Sequence, residues 1–121
     1  MHELAIAQSI VQSVAREKAL RHLGKISAVG VKIGELTDVM PEALEFGFQA
    51  LVAEGDLAGC VLKIDRVPVA GICRTCHEAL TVHNLIFSCP HCFSTDLDIQ
   101  NGQELEIAYL EIEDGDGQKL G

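Results

Sequence analysis

A chain of 121 residues and 13.0 kDa has room for one compact domain, with or without a small insert, and not for two of full size. Hydrophobic residues make up 48% and charged residues 22%, which excludes wholesale disorder, and no apolar run approaches the ~20 residues that cross a bilayer. Nine Lys and Arg against 18 Asp and Glu leave a formal charge of -9, so phosphate backbones and anionic lipid are repelled and neither nucleic acid nor membrane is an expected partner. No basic segment leads into an apolar stretch at the N-terminus, as it would in a secretory signal, and a cytoplasmic protein is expected.

From Leu4 to about Leu23, apolar residues recur in steps of three and four at Leu4, Ala7, Val11 and Val14, flanked by Ile6, Ile10 and Ala15. This spacing predicts an amphipathic helix closed by Gly24. Lys25 to Gly34 alternates, with Val29, Val31 and Ile33 on one face and Ala28, Gly30 and Lys32 on the other, the period of a half-buried strand. Thr37 or Asp38 can cap a second helix that carries Pro41 in its first turn and Leu44, Phe48 and Leu51 on one face, ending near Gly55. Residues 60–67 alternate again, with Cys60, Leu62 and Ile64 facing one way, so Cys60 reads as core rather than ligand. Gly71 to Leu97 has no clear period and holds the other four cysteines, while Glu104 to Glu113 returns to strand character through Leu105, Ile107 and Tyr109. The tail from Asp114 offers nothing to bury and is expected to be mobile.

Five cysteines in a reducing compartment, an odd number, argue for metal ligation or thiol chemistry rather than a disulfide framework. Cys73-Arg-Thr-Cys76 and Cys89-Pro-His-Cys92 are two C-x-x-C pairs separated by twelve residues. Each can form a tight turn that aims both sulfurs at one ion, and two such turns face to face supply the tetrahedral thiolate set that zinc prefers. A closed four-thiolate shell leaves no position for substrate, so the role expected of this zinc is structural, replacing a core that ~27 residues cannot build. His77 and His91 stand near enough to the cysteines to substitute as ligands. Cys76-His77 also completes a C-x-x-C-H haem-attachment pattern, which would need export and would leave Cys89 and Cys92 unexplained, and a thioredoxin-like pair would want one C-x-x-C opening a helix. Within the insert Arg74 is the only cation, against Glu78 and Asp96, the reverse of a nucleic-acid footprint.

Met1-His2-Glu3 is plain to look at but chemically equipped. A terminal amine, the His2 amide nitrogen and His2 Nδ1 can close five- and six-membered chelate rings, a nitrogen set that favours square-planar Ni(II) or Cu(II). The first amides of a helix have no intrahelical acceptor, so a metal can displace their protons. Glu3 is also accounted for more simply, as an anion at a helix N-terminus.

On Met1-His2-Glu3, on Lys32-Ile33-Gly34-Glu35-Leu36 followed by Pro41-Glu42-Ala43-Leu44-Glu45-Phe46-Gly47-Phe48, and on the two C-x-x-C pairs in order, nearly the whole chain resembles the HypA/HybF family. These are nickel metallochaperones that mature NiFe hydrogenases and in some organisms supply urease. The resemblance implies an α+β fold in which two helices pack on a small three-stranded sheet, with a zinc module inserted between strands. The matching organisation is residues 1–70 plus 98–113 as the nickel-binding domain, 71–97 as the zinc-binding insert and 114–121 as the tail. It implies that His2 is the indispensable nickel ligand, assisted by the Met1 amine and the Glu3 amide, and that Cys73, Cys76, Cys89 and Cys92 hold the zinc. The partners it implies are the GTPase HypB and the hydrogenase large-subunit precursor, with urease maturation proteins as further candidates.

Three classes of function remain open to the residues: a metallochaperone, a zinc-bearing adaptor that docks proteins without nickel cargo, and a thiol-dependent enzyme. Neither Cys60 on its apolar face nor the scattered histidines offers a nucleophile beside a base, and no phosphate-binding G-x-x-x-x-G-K-[ST] loop is present, so an enzyme is not expected.

Overall fold

The structure is a computed structural model and describes residues 2–113; the expected mobile tail at 114–121 and Met1 lie outside the described residues. Two helices and six strands follow in the order α1 (Glu3–Leu20), β1 (Lys25–Gly34), α2 (Pro41–Leu51), β2 (Val61–Val67), β3 (Val69–Cys73), β4 (Ala79–Val82), β5 (Leu97–Asn101) and β6 (Leu105–Glu113). The strands form two three-stranded sheets, β2-β1-β6 and β4-β3-β5, and the α+β class is as expected. The described residues divide into two compact units, one of residues 2–31, 39–65 and 106–113, the other of residues 32–38 and 66–105.

In the first unit α1 lies against α2. Its buried side chains come from one face of each helix, Ala7, Ile10 and Val14 on α1 and Leu44 and Phe48 on α2, together with Ile26, Ala28, Val29 and Val31 of β1 and Cys60 and Leu62 at β2. Cys60 is core, as its alternation predicted. Strand β1 departs from a half-buried pattern: Ala28, Val29, Gly30 and Val31 are all buried, and the second face is covered in part because the Tyr109 ring of β6 lies over Gly30, where no side chain holds it off.

Helix ends differ from expectation for local reasons. α1 stops at Leu20, before Gly24, because His22 takes a left-handed backbone (φ 53) and the Leu23 N–H donates to the Lys18 carbonyl at 3.0 Å, a C-terminal cap built without glycine. α2 is capped by neither Thr37 nor Asp38; its N-cap is Met40, and the Thr37 hydroxyl instead donates to the Gly34 carbonyl at 2.9 Å within a turn. β6 is a strand as expected, and its Leu105, Ile107 and Tyr109 are 39%, 37% and 46% exposed on an edge strand.

The second unit carries a sheet that the sequence did not disclose. β3 pairs antiparallel with β4, Val69 opposite Val82 and Gly71 opposite Leu80, and antiparallel with β5, with a bulge beside Ala70 and Gly71. Gly71 is required where it stands, since a Cβ there would run into the Asp98 carbonyl of β5. Val69, Cys73, Leu80, Val82 and Cys89 form the buried cluster of this unit, with Leu36, Cys76, Leu97 and Ile99 packed at its margin. The unit extends beyond residues 71–97 on both sides because β3 begins at Val69 and β5 ends at Asn101.

Candidate metal centre

Each C-x-x-C pair folds into the same turn. In the first, the Cys73 N–H donates to the Glu78 carbonyl at 2.9 Å and the His77 N–H donates to the Cys73 carbonyl at 2.8 Å. In the second, the Cys89 N–H donates to the Ser94 carbonyl at 2.8 Å and the Phe93 N–H to the Cys89 carbonyl at 2.8 Å. The residue after the second cysteine is left-handed in both, His77 and Phe93 each at φ 65. Backbone amides also point at the leading sulfurs: the Cys76 N–H donates to Cys73 Sγ at 3.4 Å and the His91 N–H to Cys89 Sγ at 3.3 Å. His77 and His91 therefore serve through their main chain, and among the described residues the metal-capable group holds the four cysteines and no histidine.

The two turns face each other, with Cys73 Sγ 3.5 Å from Cys92 Sγ and Cys76 Sγ 3.6 Å from Cys89 Sγ, and all four sulfurs lie within 4.8 Å of one another. A tetrahedron with Zn–S bonds of about 2.3 Å has edges of about 3.8 Å, so the donor set fits zinc in element, number and spacing. The backbone N–H groups of Cys76 and Thr75 draw the Cys73 thiol down to about 6 against the cost of desolvation. Burial works against the Cys89 thiolate, but the N–H groups of Cys92 and His91 outweigh it and lower that thiol too. At Cys76 the Glu78 N–H favours the thiolate, yet desolvation and the neighbouring sulfurs prevail and push the thiol up to about 12; Cys92, with the Ser94 N–H in its favour, is raised in the same way. Four thiolates this close cannot coexist without a cation between them.

Around the sulfurs the turns are braced to β5. Arg74 Nη1 reaches Asp96 Oδ1 at 3.1 Å and the Leu97 carbonyl at 3.3 Å, its Nη2 lies 3.8 Å from Asp98 Oδ1, and the hydroxyls of Thr75 and Ser94 meet at 2.8 Å across the two turns. These side chains escape sequence reasoning, which sees only that both turns are polar. With Cys73 and Cys76 turned onto Cys89 and Cys92, and with β3 running through a turn into β4 rather than into a helix, neither the haem-attachment nor the thioredoxin-like pattern survives.

The other expected ligands sit at the head of α1. His2 is the N-cap, exposed, in extended backbone (φ -88, ψ 112), and its carbonyl accepts the first helical hydrogen bond from the Ile6 N–H at 3.2 Å. Glu3 opens the helix, and its Oε2 accepts a hydrogen bond from the Met40 N–H at 3.0 Å, a contact with no sequence signal.

Taken together, the fold and the paired cysteine turns define a small α+β metal-binding protein whose cation centre is built from thiolates alone. Among the described residues no helix is long and apolar enough to cross a membrane. Residues 1–112 match the family model described as HypA, "Hydrogenase/urease nickel incorporation, metallochaperone, hypA", and the chain belongs to the HypA family. Relatives bearing the name hydrogenase maturation factor HypA include one from Chloroflexus aggregans, 43% identical over 113 residues covering 92% of this chain and 98% of the relative. Another, from Desulfitobacterium hafniense, is 37% identical over 114 residues covering 94% of this chain and all of the relative, 100%. The solution structure of the Ni metallochaperone HypA from Helicobacter pylori aligns with a TM-score of 0.63 at 24% identity, over 93% of this chain and 97% of that one. A second solution structure of a HypA protein aligns with a TM-score of 0.68 at 23% identity over the same shares, 93% and 97%, and at these identities the likeness is one of fold.

Proposed function

We propose that this chain carries Ni(II) at its N-terminus and delivers it during maturation of the NiFe hydrogenase large subunit, while Cys73, Cys76, Cys89 and Cys92 hold a structural zinc. The observation that carries the nickel reading is the place of His2: an exposed imidazole in extended backbone at the first turn of α1, where helix amides have no intrahelical acceptor. Membership of a family described by nickel incorporation supports the choice of metal. The Met1 amine, His2 Nδ1 and the main-chain nitrogens of His2 and Glu3 are the ligands, and the division of labour is a nickel-binding domain bearing a zinc-binding insert, as the sequence reading of 1–70 plus 98–113 and 71–97 expects.

The chain is a carrier and not a catalyst, acting in the cytoplasm. A cargo ion held at an exposed terminus can pass ligand by ligand: a docked acceptor, the large-subunit precursor or the GTPase HypB, offers a donor before the His2 imidazole leaves. Urease maturation proteins are further recipients. Amine and amide ligands bind in deprotonated form, so protons compete with nickel and lower pH favours release. Below the amine's unperturbed pKa of ~7.7 to 8.0, affinity should fall ~10-fold per pH unit for each proton displaced.

The test is a nickel titration of wild type, His2→Ala, Glu3→Gln and an N-terminally tagged form, with zinc content and helicity followed alongside. Wild type should take up one equivalent; His2→Ala and the tag, which turns the amine into an amide, should abolish specific binding without touching zinc. Wild-type affinity in either altered form would sink the reading and leave a zinc-bearing adaptor in its place.

A further inference from the structure

α2 begins without a cap of its own. Met40, the N-cap, has no side-chain oxygen, Pro41 takes the first helical position, and the third is Ala43, so no acid of α2 stands where a capping box would place one to reach back to the N-cap amide. That amide nevertheless donates to a carboxylate, Glu3 Oε2, at 3.0 Å across 37 positions of sequence. Glu3 is the first residue of α1. One side chain at the head of α1 thus does for α2, in trans, what the third-position acid of a capping box does in cis, with its charge at the positive end of the α2 dipole.

On the proposed nickel reading, on which this inference rests, a main-chain nitrogen of the same residue belongs to the chelate. We infer that Glu3 is a positioning residue: by anchoring on the Met40 N–H it fixes its own backbone and the His2 backbone before it where the ligands close on one ion, and so couples nickel binding to the first turn of α2. A carboxylate that only complements the α1 dipole would behave differently, because it would not notice loss of the Met40 N–H.

The experiment uses the untagged, zinc-loaded full chain and a double-mutant cycle between Glu3→Ala and Met40→Pro. Proline deletes the N–H at modest further cost, since the Met40 φ of -88 is about 20° from the value proline imposes and the side chain that is lost is 61% exposed. Nickel affinity is read by titration, and the first turn of α2 by exchange of the Leu44 amide, which bonds the Met40 carbonyl at 3.0 Å. Each single substitution should weaken nickel about fivefold while keeping one equivalent, the factor expected for one lost cap, and should speed Leu44 exchange comparably. The double variant should be no weaker than the worse single one. Glu3→Gln, which keeps an acceptor, should fall between wild type and Glu3→Ala in both measurements, and it preserves the test if the proline variant misfolds. An unchanged nickel affinity in Met40→Pro, losses that multiply in the double variant, or Glu3→Gln as weak as Glu3→Ala would overturn the inference. Should wild type take up no nickel, the nickel reading fails first and the coupling with it, while Leu44 exchange in nickel-free protein separately decides whether Glu3 caps α2.

Discussion

Stripping the metal from the four-cysteine centre should unfold the unit that holds it and spare the other. Of the five side chains in that unit's buried cluster, Cys73 and Cys89 are the ones proposed as zinc ligands, which leaves Val69, Leu80 and Val82 as its fully apolar core. Three such side chains contribute about 1.5 to 3 kcal/mol each. Four-thiolate zinc in small metal-dependent modules is worth about 10 kcal/mol or more, which matches or exceeds what those three side chains contribute together. With zinc removed by a chelator, or loosened by Cys89→Ser, amides on β3 should exchange freely while those of α1 stay protected by the Ala7, Ile10 and Val14 face. Zinc content is measured on the same samples. Persistent protection from Val69 to Cys73 in protein shown to be zinc-free would refute the reasoning, because the sheet would then be standing on its own burial.

Gly71→Ala should destabilise the zinc-bearing unit by about 1 to 3 kcal/mol, since the obstacle to its Cβ is the Asp98 carbonyl of a paired strand and not a side chain that can swing away. Faster exchange confined to β3 and β5, with nickel uptake at the N-terminus intact, is the expected signature. Cys60→Ala should leave zinc content unchanged at a cost of about 1 kcal/mol in thermal or denaturant unfolding, because the thiol is 2% exposed and its Sγ belongs to the core of the other unit.

Spacing alone carried much of this protein. The two C-x-x-C pairs are legible because a tight turn needs only four consecutive residues to aim two sulfurs, and α1, β1, α2, β2 and β6 each hold a period over seven or more residues. Cys60 could be set apart from the other cysteines by alternation, and the family by the order of its motifs. What the sequence could not supply are contacts between residues far apart in the chain. β3, β4 and β5 are four or five residues long, too short to establish a period, and they exist because Val69, Leu80 and Val82 gather beside Cys73 and Cys89. β1 lost its expected open face where the Tyr109 ring of β6 folds over Gly30, and Leu105, Ile107 and Tyr109 of β6 stay partly exposed. The cap on α2 is the clearest case: local rules looked to Thr37 and Asp38, while the carboxylate that meets Met40 is Glu3 of the first helix, brought there only when the two helices pack.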